Sequence, residues 1–143
     1  MTRLISEQTE KQEKWEPVDG IVTPAASALV AEDKDGLTIT LLFSQIVDGS
    51  DSDLCIKFGR VLAYSVYEEF AHPWETLESV PRLPGRWGIY FYPLLRINES
   101  RWIASLPDLQ AIHPGVSHYR LLTLDQIIDV LCSKPPEVSW IPR

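Results

Sequence analysis

Carboxylates, imidazoles and thiols are the side chains from which this chain can build a reaction centre, and their spacing decides what chemistry is open to them. Asp48, Asp51 and Asp53 fall in one short loop, Asp48-Gly49-Ser50-Asp51-Ser52-Asp53. A hard cation such as Ca²⁺ needs several oxygens converging at about 2.3–2.6 Å. The loop lacks the glycine at position six and the glutamate at position twelve of an EF-hand, so a solvated hairpin loop is expected. The three histidines, His72, His113 and His118, make no His-x-x-x-His pair, and no cysteine lies close enough in sequence to complete a zinc set. Cys132 and His118 can face each other across a hairpin. A sheet-embedded cysteine, however, lacks the cationic surroundings or helix N-terminus that make a thiolate, so a packed core thiol is expected.

Other catalytic patterns fail on the same kind of test. No Gly-x-Ser-x-Gly elbow is present. The seven glycines are scattered, with no Gly-x-Gly and no Gly-Lys-Ser/Thr to bring backbone amides against a phosphate. Glu68 and Glu69 are adjacent, and on a strand adjacent side chains point to opposite faces, so they cannot work as a paired acid and base. No catalytic residue, metal ligand or cofactor is expected from these patterns.

Aromatic residues give the one positive signal. Trp74, Trp87, Tyr90, Tyr92 and Trp102 crowd into one third of the chain. Tryptophan and tyrosine bury large areas at low entropic cost, which suits both cores and interface hot spots. Trp74, Trp87, Tyr90 and Tyr92 are the candidate interface.

The elements that must position these groups read mainly as strands. Ala28-Leu29-Val30-Ala31 precedes Asp35-Gly36, a hairpin turn signal, and Leu37, Ile39, Leu41 and Phe43 then recur at period two with threonines between them. Leu54 to Val66 reads as a long strand bent at Gly59, pairing with 37–46 to give a three-strand meander. Residues 71–86 carry Pro73, Pro81 and Pro84 and read as irregular chain, of a length that is often functional. Trp87 to Tyr92 reads as a strand apolar on both faces and ended by Pro93. Asn98 is placed to cap a short helix that Pro107 ends. Residues 118–124 and 127–132 read as a closing hairpin, with a helix over 124–132 as the competing pattern. The last residues are extended, with Trp140 and Ile141 docking on the core.

The totals set the outer bounds. A chain of 143 residues is long enough for one self-sufficient core. The expected layout is a polar N-terminal tail or short helix over 1–19, docked by Trp15, followed by a single globular α+β domain over 20–143. That domain is a mainly antiparallel, twisted β-sheet of five to seven strands with one or two short helices. A net charge of −7, from 13 basic against 20 acidic residues, disfavours nucleic acid and anionic membrane surfaces and favours a basic protein partner. No apolar leader or spanning stretch is visible and the two cysteines make no disulfide framework, so the cytoplasm is the expected compartment. The function expected is a non-enzymatic protein-binding module of adaptor, regulator or toxin-neutralising type. The alternatives are a homodimer seamed through 87–92 and a small-molecule enzyme or binder whose site is assembled from dispersed residues.

Overall fold

The computed structural model describes residues 10–43, 52–72 and 80–142. Those residues form nine strands in two antiparallel sheets, with two short helices. A five-stranded sheet has the order β1-β6-β7-β8-β5, and a four-stranded sheet the order β2-β3-β4-β9. The strands are β1 (Lys11–Lys14), β2 (Ser27–Asp33), β3 (Gly36–Leu42), β4 (Ser52–Gly59), β5 (Ala63–Glu68), β6 (Leu94–Asn98), β7 (Ser117–Leu122), β8 (Gln126–Cys132) and β9 (Glu137–Pro142). The expectation of one α+β sheet with five to seven strands is corrected to a two-sheet, mostly antiparallel β architecture. Helix is confined to α1 (Arg101–Ala104) and α2 (Pro107–Ile112).

The two sheets bury their apolar faces against each other. Leu37, Ile39 and Leu41 of β3, with Leu54, Ile56 and Phe58 of β4, share one core with Leu94, Tyr119, Leu121, Ile128 and Val130 of the larger sheet. Period-two alternation therefore does in β3 what the sequence predicts. The β2–β3 hairpin also forms, with Asp33 opposite Gly36. Gly36 has φ +118, and a Cβ there would lie 2.1 Å from the backbone carbonyl of Gly59, so the turn admits no side chain.

Three expected elements change. The long strand over 54–66 is two strands in different sheets, because Gly59 takes φ +69 and the chain crosses to the other layer before Ala63. Residues 87–92 do not form a strand. Gly85–Trp87 is a 3-10 turn started at a positive-φ glycine, and Phe91 makes one isolated bridge to Arg82. Pro93 precedes a strand, β6, rather than ending one. Ser100 caps α1 in place of Asn98, and Pro107 sits at the first turn of α2, where its missing N–H costs nothing.

Residues 11–14, read as polar tail or short helix, pair with β6 as an edge strand, and the Trp15 ring packs tilted against Tyr119 at 4.6 Å. The 118–132 segment is the hairpin β7–β8. β9 is extended as expected: Trp140 packs on the core, whereas Ile141 is exposed. No helix among the described residues is long and apolar enough to cross a membrane.

Candidate functional site

β7 and β8 are central strands of the larger sheet and are buried almost throughout. Their inner faces feed the core. Their outer faces carry His118, Arg120 and Leu122 on β7, and Ile127, Asp129 and Leu131 on β8. Arg120 and Asp129 are register partners. A charge in a strand covered on both sides must be paired there, since leaving it unpaired costs several kcal/mol by order of magnitude.

The pairing is extensive. Arg120 Nε donates to Asp129 Oδ1 at 2.8 Å, one terminal nitrogen to Gln12 Oε1 at 3.0 Å, and the other to Glu10 Oε1 at 3.3 Å. His118 Nε2 donates to Asp129 Oδ1 at 2.7 Å, and His72 Nε2 donates to Asp129 Oδ2. Glu10 Oε2 accepts from the Arg101 amide at 2.7 Å. β1, β7, β8, the start of α1 and the His72 segment are thus tied through Arg120 and two carboxylates, Asp129 and Glu10. Burial pushes the Asp129 carboxyl up. Hydrogen bonds from His118 and His72 and the charge of Arg120 more than reverse this, and hold it well below the usual carboxylate range.

The same network contains a serine. His118 Nε2 faces Asp129, and its Nδ1 is hydrogen-bonded to Ser100 Oγ at 2.6 Å. Ser100, at the turn from β6 into α1, follows Glu99, whose φ is +54. Ser100 and His118 line an open cleft of about 440 Å³ with Asn98, Ile103 and Val116 among its walls.

The order serine, imidazole, carboxylate is that of a base-activated nucleophile. Acyl transfer also needs a donor for the oxyanion, and at a strand–turn–helix serine that donor is the amide of the following residue. Here that amide, Arg101 N–H, is held by the buried Glu10 carboxylate. Ser100 Oγ itself accepts from the Ile103 amide at 3.1 Å, which caps α1. The arrangement positions chain segments, and the Arg101 amide is taken up by Glu10.

The Cys132–His118 pair weighed from sequence does not form. His118 lies on the outer face of the sheet and Cys132 on the core face, and both cysteines are free and buried. Burial pushes the Cys132 thiol up to about 11. Among the acidic-loop residues, Asp53 is buried in β4, while Asp48 and Asp51 lie outside the described residues. Among the described residues no group of three or more His, Cys, Asp or Glu is arranged to hold a metal.

The candidate interface residues are dispersed. Trp74 lies outside the described residues. Tyr92 is buried in the core, with its hydroxyl pushed up to about 12 by burial and by Glu16. Trp87 and Tyr90 are half-buried against the core at 5.8 Å from each other, with the Arg86 guanidinium over the Trp87 ring. Ile89, between them in sequence, is 75% exposed, and Phe70, in the turn after β5, is 84% exposed.

Sequence reasoning missed the Asp129 network because its members are spread over residues 10 to 129. A signal was present in Arg120 and Asp129, single charges inside otherwise apolar strands. Compared with protein-family models, with curated proteins and with solved structures, the chain matches none.

Proposed function

We propose that this chain is a protein-binding module, an adaptor, regulator or toxin-neutralising protein, whose contact surface is the end of the five-stranded sheet around Phe70, Trp87, Ile89 and Tyr90. The observation that carries this is the exposure of Phe70 and Ile89, with Phe70 sharing an open cleft with the half-buried Phe91. Single exposed apolar residues are ordinary, whereas large ones grouped with half-buried aromatics have the composition of an interface centre. The buried ionic network supports the reading in a second way: its groups are spent on fixing the scaffold, and the surface is left to recognition. Capture from native lysate is the test. One stoichiometric protein should be retained by the wild type and lost with Ile89→Asp. Retention of nothing at stoichiometry counts against the role.

Self-association is the second reading, and β2 is the observation that favours it. β2 is a sheet edge with five of its seven residues exposed, including Leu29 at 59%. An open edge of that kind is a template for pairing with another strand. A monomer in light scattering at micromolar concentration removes this reading.

A further inference from the structure

At the β5 end of the larger sheet, an open cleft of about 290 Å³ is lined by Glu69, Phe70, His72, Phe91, Leu122 and Ile127. Its walls are held in place before anything enters. Leu122 and Ile127 are register partners on central strands. His72 is fixed by its hydrogen bond to Asp129 and by edge contact with the Tyr67 ring at 4.7 Å. Phe91 is covered on one side by the Arg82 guanidinium at 5.0 Å, and Arg82 itself donates to the Ile89 carbonyl. Phe70, by contrast, stands almost wholly in water.

The rim has a definite charge. Glu68, Glu69 and Asp125 are all exposed. The Glu68 carboxylate accepts from the Phe70 amide at 3.1 Å, the Glu69 amide donates to the Asp125 carbonyl at 3.2 Å, and the Asp125 carboxylate accepts from the Thr123 hydroxyl at 2.9 Å. Two of these carboxylates, Glu68 and Asp125, are thereby held, and Glu69 itself lines the apolar hollow. Arg82 is engaged by the Phe91 ring and by the Ile89 carbonyl.

Resting on the protein-binding role above, we propose that this cleft seats one large apolar or aromatic side chain of a partner polypeptide whose flanking residues are lysine or arginine. An anchor closed under Phe70 leaves water together with Phe70, Phe91, Leu122 and Ile127, the pattern of a hot spot in a preformed pocket. Basic neighbours meet Glu68, Glu69 and Asp125, and the chain's net charge of −7 steers such a partner in. Like-charged flanks are rejected by the same rim.

The test is titration of the isotope-labelled full chain with three short peptides, observed by amide NMR shifts. One peptide has a central tryptophan flanked by lysine and arginine. The second replaces that tryptophan with alanine, and the third replaces the flanks with glutamate. The first should shift amides in 66–72, 89–91 and 122–127, with an affinity that falls as salt is raised. The other two should bind at least tenfold more weakly, as should Phe70→Ala and the pair Glu68→Lys, Glu69→Lys, roughly the loss expected of a hot-spot contact. These positions are exposed, so the variants should melt where the wild type does. Absence of shifts up to about 1 mM peptide, shifts elsewhere, or equal binding of the acidic peptide overturns the proposal. So does a wild-type dimer in sedimentation that Phe70→Ala dissolves, which assigns the cleft to a second copy. A lysate partner retained undiminished by Phe70→Ala also overturns it, while leaving the broader protein-binding role intact.

Discussion

Asp129 shows how one residue ties distant chain segments together. Its two oxygens accept from Arg120, His118 and His72, and through Arg120 the link runs on to Glu10 and Gln12. Arg120 and Asp129 are essentially without exposure. A buried ionic network of this kind adds little net stability against a well-packed apolar substitute, but removing one member strands the others. Asp129→Asn keeps the shape and deletes the charge opposite Arg120. It should lower unfolding stability by roughly 3–5 kcal/mol, measured by urea denaturation, because buried Arg120 loses the closer of its two carboxylates and His118 and His72 lose their charged acceptor. A loss under about 1 kcal/mol is what a solvent-screened surface pair gives, and would mean that the network is wet.

Elements were legible in the sequence where local chemistry alone decides them, and misread where the far side of the molecule decides. The β2–β3 hairpin follows from period-two leucines and isoleucines beside Asp35-Gly36, and it is present with the expected pairing. The closing hairpin β7–β8 formed for the reason two adjacent isoleucines suggest, since β-branched side chains suit a pleated surface. Proline was ambiguous: Pro93 stands directly before β6 and Pro107 opens α2, and a sequence gives proline's fixed φ without giving its side of the boundary. The segment Trp87–Tyr92 is rich in strand-forming side chains, yet Gly85 and Gly88 curl it into turns, so its aromatics split between core and surface. For the candidate interface this means that only the aromatic character was readable, not which rings face water. Gly36 offers a test at this scale. Gly36→Ala puts a methyl against the Gly59 carbonyl at a backbone angle that L residues rarely adopt. It should cost at least about 1–3 kcal/mol in thermal or urea unfolding, from the positive φ alone. A neutral effect would mean that β3 and β4 separate at that end without penalty.

At the scale of the whole molecule, the larger sheet is loaded differently on its two faces. One face is apolar and meets the second sheet; the other holds ions at its centre and the apolar cleft at its β5 end. The centre of that outer face therefore makes the protein sensitive to acid in a way the apolar face does not. The folded Asp129 carboxyl is held below its unfolded value of about 3.9. Where the two differ, the unfolded chain binds the additional proton, so lowering pH favours unfolding. The contribution is complete above about pH 5 and drains away as pH falls through the unfolded value toward the folded one. Melting temperature should accordingly be flat with respect to this group from pH 8 to about 5 and fall below that. Asp129→Asn has no proton to bind there, so its curve should start lower and descend less steeply, the two approaching each other in acid. Because His72 is held by Asp129 and also walls the cleft, protonating Asp129 should loosen the cleft along with the fold. Parallel curves for the two proteins would assign the acid sensitivity to other carboxylates and remove Asp129 as its origin.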